Sequence, residues 1–262
     1  MDGRSADRLD GLRSLLGETA TVWAGGAGTV VRPDRWAAIS GARSVDYNVV
    51  VCHSGTEGCV EAGLEELLAA GAPGVLMLAG GALGQAQVMV GAGWVCIGST
   101  PFMELTLPMK DSPRSAMAGA PAAAVVRCGA GRLDGARALV QEVFSLEPEH
   151  ALVALPPDAA DRPGQVVWVL ERPDGRPVSC LIAVRRGDAI GIWSMATAPD
   201  AQRSGYGSTL LSAALAGAAD EGAERCLLYA SRAGEPLYRR LGFRELERWQ
   251  LWSRPRWVLG RA

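Results

Sequence analysis

The chain has 262 residues, 48% of them apolar, and its 26 Lys and Arg stand against 28 Asp and Glu. That length exceeds one average domain and suits two of about 100–150 residues, each able to bury a core. The near-neutral balance, with a pI near 5.8, gives no chain-wide attraction for phosphate backbones or anionic lipid and so argues against nucleic-acid and membrane partners.

The N-terminus, MDGRSADRLDGLRSLLG, is charged throughout and has no apolar core of a secretion signal. Cys52, Cys59, Cys96, Cys128, Cys180 and Cys226 form no CxxC pair, and only His53 and His150 are present to help a metal site. The expected state is reduced thiols in a cytoplasmic protein with no bound metal. Asn48–Cys52 (NVVVC) reads as a strand. From Leu67 to Met103 the chain carries no charged residue, but Pro73, Gln85, Gln87 and repeated glycines break the stretch, so it is not a membrane span. It reads as a helix end at Leu64–Ala70, a strand near Val75–Ala79, a helix within Gly80–Gly91 and another strand. The helix is apolar nearly all round, which predicts packing against another domain or subunit. Met109–Pro121 is polar, small and Pro-containing, as a linker would be.

Beyond it, Ala122–Cys128 is a candidate strand and Leu133–Phe144 has helical apolar spacing, with Pro148 ending that region. Residues 156–164 read as a loop or broken helix. Val166–Leu170, Val178–Arg185 and Ile190–Thr197 are β-rich runs separated by the turns Arg172–Gly175 and Arg186–Asp188, an antiparallel meander. A Gly-containing turn, Gln202–Gly207, opens a helix whose stripe is Leu210, Leu211, Ala214, Leu215 and Ala218, stopped at Glu221-Gly222. Cys226–Ala230 is a buried strand, Glu235–Leu241 a short helix capped by Gly242, and Phe243 onward one or two strands.

Amides at a helix start are unpaired and carry partial positive charge, so the turn Gln202–Gly207 can hold a phosphate, with Gly205 and Gly207 allowing close backbone approach. Residues 195–208 (MATAPDAQRSGYGS) resemble the acetyl-CoA-binding motif of the GNAT superfamily, Q/R-x-x-G-x-G/A. Residues 226–243 (CLLYASRAGEPLYRRLGF) resemble the superfamily's next element, which often ends in LYxxxGF. The element order is also similar, over about residues 122–253.

The resemblance implies an N-acetyltransferase that moves acetyl from acetyl-CoA directly to an amine on a small molecule or peptide, through a ternary complex. It assigns Met195, Ala196 and Thr197 to pantetheine. The pyrophosphate goes to the turn opened by Gln202, on the amides of Arg203, Ser204, Gly205, Tyr206, Gly207 and Ser208. Tyr238 is the implied general acid toward the leaving thiolate. Ser231 stands where many relatives carry an asparagine that bonds pantetheine. No base is evident; Glu171, Asp188 and Glu235 are candidates by position, a solvated surface being the ordinary role for each.

Gly71–Ala79 lines up with Gly222–Ala230, and Ala92-Gly93-Trp94 with Leu241-Gly242-Phe243, which suggests an internal duplication. The earlier copy reads His53-Ser54-Gly55-Thr56-Glu57-Gly58-Cys59 in place of the phosphate turn, where Glu57 would repel a pyrophosphate. It carries Val88-Met89-Val90 in place of Leu237-Tyr238-Arg239. The expected architecture is α/β (α+β): a degenerate GNAT-like domain over 1–110, a linker over 111–121 and an acetyl-CoA-binding GNAT domain over 122–262. Each domain is a mixed, mainly antiparallel sheet flanked by helices, and assembly as a homodimer is compatible with it. Trp249, Trp252 and Trp257 serve core packing or line an acceptor site. The competing reading is a non-catalytic acyl-CoA-binding or scaffold protein; a dinucleotide site is disfavoured because the Gly turn follows a meander and not a first parallel strand.

Overall fold

The computed structural model describes residues 3–25, 28–109, 124–128 and 132–259, and the linker expected at 111–121 lies outside them. In chain order the elements are α1 (Gly3–Ala24), β1 (Val30–Val31), β2 (Arg35–Ile39), β3 (Asn48–Cys52), α2 (Cys59–Ala69), β4 (Val75–Leu78), α3 (Ala86–Gly91) and β5 (Val95–Thr106). There follow β6 (Ala124–Arg127), α4 (Leu133–Phe144), α5 (Pro148–Ala154), β7 (Gln165–Glu171), β8 (Pro177–Arg186), β9 (Ala189–Thr197) and α6 (Tyr206–Asp220). The chain ends with β10 (Arg225–Tyr229), α7 (Glu235–Arg240), β11 (Arg244–Ser253) and α8 (Pro255–Leu259). Two compact units result. The first comprises Met1–Met103, Tyr229–Glu235 and Glu245–Ala262; the second comprises Glu104–Leu228 and Pro236–Arg244. The mixed α/β class is as expected. No helix among the described residues is long and apolar enough to cross a membrane.

In the first unit β2 is antiparallel to β1 and β3, β3 is parallel to β4, and β4 is antiparallel to β11. Leu12, Leu16, Ala20 and Trp23 are buried along one face of α1, a helical spacing that the charges around it obscure in the sequence. Cys59, Val60, Leu64 and Leu67 bury the matching face of α2. They join Ile39, Val50, Leu76, Leu78 and Trp252 in one core. The uncharged segment after β4 departs from expectation. It is a 3-10 turn, Gly80–Gln85, followed by α3. Its Ala82 and Met89 sink into the unit's own core, with Leu83, Ala86 and Val88 packed on it, while Val90 is exposed. So short and glycine-rich a segment fills its own unit's core first. Trp249 and Trp252 are likewise buried, and Phe102 stacks on Trp249 at 4.8 Å.

The second unit is built on the meander β6-β7-β8-β9, antiparallel throughout, with β10 parallel to β9. Leu133, Ala136, Leu139 and Val140 bury one face of α4; Leu210, Leu211, Ala214, Leu215 and Ala218 bury one face of α6. Pro148 does not end the helical region but starts α5, at a first-turn position where its missing N–H costs nothing.

The β3–α2–β4 crossover depends on a close approach at Gly74. A Cβ there would lie 2.6 Å from the Asn48 carbonyl oxygen and 2.6 Å from Leu67 Cδ1. Gly74→Ala is expected to destabilise the protein by about 1–3 kcal/mol, the usual range for overpacking against backbone. Gly84→Ala, with open space around its Cβ, is expected to stay within about 0.5 kcal/mol of wild type. Urea unfolding of the two variants measures the difference.

Candidate functional site

The site of the second unit begins where β9 and β10 part. Their parallel register runs from Arg225–Ala189 through Cys226–Ile190 to Leu227–Gly191 and stops. Among the described residues, Met195, Ala196 and Thr197 pair with no strand on that edge. On its other edge β9 pairs with β8, but the register shifts between Cys180↔Ala196 and Ile182↔Trp193, so Ser194 and Met195 share the place of one residue. This is a β-bulge, and Ser194 takes the left-handed conformation at φ 48°.

A buried hydroxyl fixes the strand beyond the bulge. Ser179, fully buried on β8, donates from Oγ to the Ala196 carbonyl at 2.8 Å and meets Thr197 Oγ1 at 2.9 Å. Its one proton goes to Ala196, so Thr197 is the donor in the second bond. The Ala198 amide donates to the Val178 carbonyl at 2.9 Å. Ala196 and Ala198 thus turn their backbone toward β8, and strand alternation turns that of Thr197, between them, the other way, toward the open edge. There Gln202 Nε2 donates to the Thr197 carbonyl at 3.2 Å, tying the strand end to the turn that follows.

That turn is shaped for an anion. Arg203 has φ 61° and Gly205 φ 89°, and Gly205 is the left-handed N-cap of α6, with no side chain capping the helix. The Thr209 amide makes the bond to the Gly205 carbonyl at 3.0 Å, so the amides of Tyr206, Gly207 and Ser208 precede the first intrahelical acceptor and face outward. A Cβ built on Gly205 meets nothing within 4 Å; the space before the helix is open. Ser208 Oγ donates to the Gly205 carbonyl at 2.7 Å, and Ser204 Oγ to the Gln202 carbonyl at 3.5 Å. Gly207 is the close-packing glycine. Its Cβ would lie 3.2 Å from Thr197 Oγ1, 3.3 Å from Met195 Cε and 3.6 Å from Leu237 Cδ2, so strand end, helix start and α7 converge on it.

Tyr238 on α7 is buried, and its hydroxyl donates to Met195 Sδ at 3.6 Å. Phe243 holds the ring edge-on, 5.5 Å between centroids. Burial, with Cys226 nearby, pushes the phenol well above the ordinary tyrosine range, so it keeps its proton at neutral pH. Met195, Ala196, Thr197, Gln202–Ser208 and Tyr238 therefore gather in one unit. Ser231 lies in the first unit, where its Oγ accepts the Gly234 amide at 3.1 Å in the turn before α7. The three acids considered as bases are each held by an arginine: Glu171 by Arg132 at 2.6 Å, Asp188 by Arg225 at 2.7 Å and Glu235 by Arg248 at 3.2 Å. Sequence reasoning missed Ser179 and Ser194. The one signal for Ser179 is a hydroxyl inside the apolar strand PVSCLIAV; the bulge at Ser194 has no local signature.

Residues 163–245 match a family model described as an acetyltransferase (GNAT) domain. No curated protein matches the chain. Among solved structures, the chain is similar in fold to a GCN5-related N-acetyltransferase from Kribbella flavida, with TM-score 0.63, 18% identity and coverage of 92% of this chain and 96% of that one. A putative GNAT-family acetyltransferase from Novosphingobium aromaticivorans DSM 12444 gives 0.54 and 18%, covering 94% and 98%. A GCN5-related N-acetyltransferase from Sphaerobacter thermophilus gives 0.56 and 17%, covering 84% and 76%.

Ser179→Ala removes the donor to a buried carbonyl. It is expected to cost about 1–3 kcal/mol in urea unfolding, as an unsatisfied buried acceptor does. An unchanged midpoint would show that the hydroxyl does not hold the strand end.

Proposed function

From the premise that the chain carries a GNAT acetyltransferase domain over residues 163–245, an acyltransferase module that moves an acyl group from acyl-CoA to an acceptor, we propose a specific reaction. The protein transfers acetyl from acetyl-CoA directly to an amine in a ternary complex formed on the second unit. The observation that carries this reading is the convergence of an open strand edge, a left-handed helix cap and a protonated tyrosine around Met195.

The residues fit acyl-CoA. An extended pantetheine adds to the edge at Met195–Thr197 as a strand would, through main-chain hydrogen bonds. The pyrophosphate rests on the amides from Arg203 to Ser208, with the α6 dipole behind it and no Cβ at Gly205 to displace it. A neutral amine attacks the thioester carbonyl; the C–N bond forms and the C–S bond breaks. The Thr197 N–H, on the open edge, supports the oxyanion. Tyr238 gives its proton to the departing thiolate. Its present acceptor, a thioether, is weak, so the hydroxyl exchanges readily to a sulfur anion. The burial that raises the phenol also disfavours a thiolate beside it, which keeps the two proton affinities close. With Glu171, Asp188 and Glu235 ion-paired, the amine proton leaves through water. The acceptor is a small-molecule or peptide amine.

The first unit has the same local grammar without the opening, and we read it as a degenerate, structural copy. Its Gly58, φ 83°, is a left-handed cap before α2 as Gly205 is before α6. Yet β3 and β4 stay paired from Val49–Val75 through Cys52–Leu78. The Ala79 amide continues to the Cys52 carbonyl at 2.9 Å and the Gly81 amide to the His53 carbonyl at 3.1 Å. Beyond them, Arg13 Nε and Nη2 each donate at 2.6 Å to the Glu247 carboxylate, which also accepts the Gly80 amide at 3.3 Å. The region that a cofactor would need is spent on an internal ion pair.

Gly205→Glu, adding a side chain and a negative charge at the phosphate turn, is expected to abolish the thermal stabilisation that acetyl-CoA gives wild type, about 2.7 kcal/mol at one hundred times its dissociation constant. Tyr238→Phe is expected to keep that stabilisation and lower kcat about 10²-fold or more, the usual worth of a general acid. Its rate deficit is expected to stay constant up to about pH 10, because wild-type Tyr238 does not ionise in that range. Binding without CoA-thiol release toward any amine would favour the non-catalytic reading.

A further inference from the structure

The buried face of α6 mixes large and small residues. It carries Leu210, Leu211 and Leu215, while Ala214 and Ala218, with Ala183 of β8 and Ile190 of β9, line a pocket. This half-open pocket has a volume of about 140 Å³, close to that of engineered apolar cavities that accept benzene. Ala183, Ile190, Ala214 and Ala218 are buried, and the Trp168 indole forms a wall. The indole lies against α6 at Gly217, where a Cβ would be 3.0 Å from the ring. From the Gly205 cap to Ala218 is about 20 Å along the helix axis at 1.5 Å per residue, so this cavity is separate from the phosphate turn.

Its accessible end is charged. Arg127 pairs with the Glu221 carboxylate and stacks over Trp168 at 4.9 Å, and that pair is neutral. Arg185 is different. It donates to the main-chain carbonyls of Glu221 and Gly187, and among the described residues no carboxylate pairs with it. The pocket thus combines the apolar surface of Ala183, Ile190, Ala214 and Ala218, with the buried Gln165 also in its lining, and one guanidinium that pairs with no carboxylate among the described residues. A second negative charge on a ligand would face Glu221.

We propose that this cavity binds a small organic monocarboxylate with a compact apolar tail of about six carbons or fewer. The carboxylate meets Arg185 and the tail lies on Ala183, Ala214 and Ala218 beside Trp168. This site is independent of the acyl-CoA reading and stands or falls separately from it.

The test is isothermal titration of the full chain with benzoate, acetate and benzyl alcohol, repeated with saturating CoA and with Arg185→Gln. Arg185 is partly buried, and its main-chain bond to Gly164 is independent of its side chain, so the variant keeps the fold; an unchanged thermal midpoint checks this. Benzoate is expected to bind wild type at one site, with or without CoA. Acetate, lacking the tail, and benzyl alcohol, lacking the charge, are each expected to bind at least about tenfold more weakly, and so is benzoate to Arg185→Gln. No benzoate binding, equal affinity for acetate and benzoate, loss of binding when CoA is present, or an unaltered Arg185→Gln variant would each overturn the proposal.

Discussion

The second unit turns on one interruption: β9 keeps company with β10 for three residue pairs and then leaves it. A sheet ordinarily hides its backbone donors and acceptors, and an open internal edge is a liability that a fold must secure. Here the β-bulge at Ser194–Met195 turns the strand, and Ser179 anchors the far side of the turn by accepting from Thr197 and donating to Ala196. The same strand end then receives Gln202 and packs Thr197 against Gly207. The glycine turn, the start of α6 and the tyrosine of α7 all meet the strand that leaves its neighbour.

The first unit makes the point by contrast. Strand, left-handed glycine, helix and parallel strand recur there as β3, Gly58, α2 and β4. Both helices start from a left-handed glycine; besides Glu57 before α2, what differs is the strand pairing before the helix. The β3–β4 ladder is continued past both strands by the Ala79 and Gly81 amides, and the Arg13–Glu247 pair occupies the polar groups at its end. A helix N-terminus attracts anions in general; beside this one the strand ladder stays paired.

Much of this was legible in the sequence. The meander, the Gly turn with its helix, and Tyr238 on a short helix before Gly242 all follow from local pattern, because turn chemistry and apolar period are local. The elements missed are those whose signal is diluted or non-local. The stripe Leu12, Leu16, Ala20 and Trp23 on α1 lies among charges and glycines; β1 has two residues; α5 begins with a proline that reads equally as a stop. The pairing of β11 with β4 joins residues far apart in the chain, and no local pattern specifies it. Ser179 reads as an ordinary strand residue until its partners seventeen and eighteen positions away are known. The packing of α3 was misjudged for a related reason: an uncharged segment says that it is buried, not against what.

The most direct test of the account is a backbone amide NMR titration of the full chain with CoA. The account predicts that the amides of Thr197 and of Gly205 through Ser208 shift together and saturably, while those of Gly58 through Val60 at the start of α2 do not move. Shifts confined to Gly58–Val60, or equal at both helix starts, would contradict the claim that the parting of β9 and β10 creates the site.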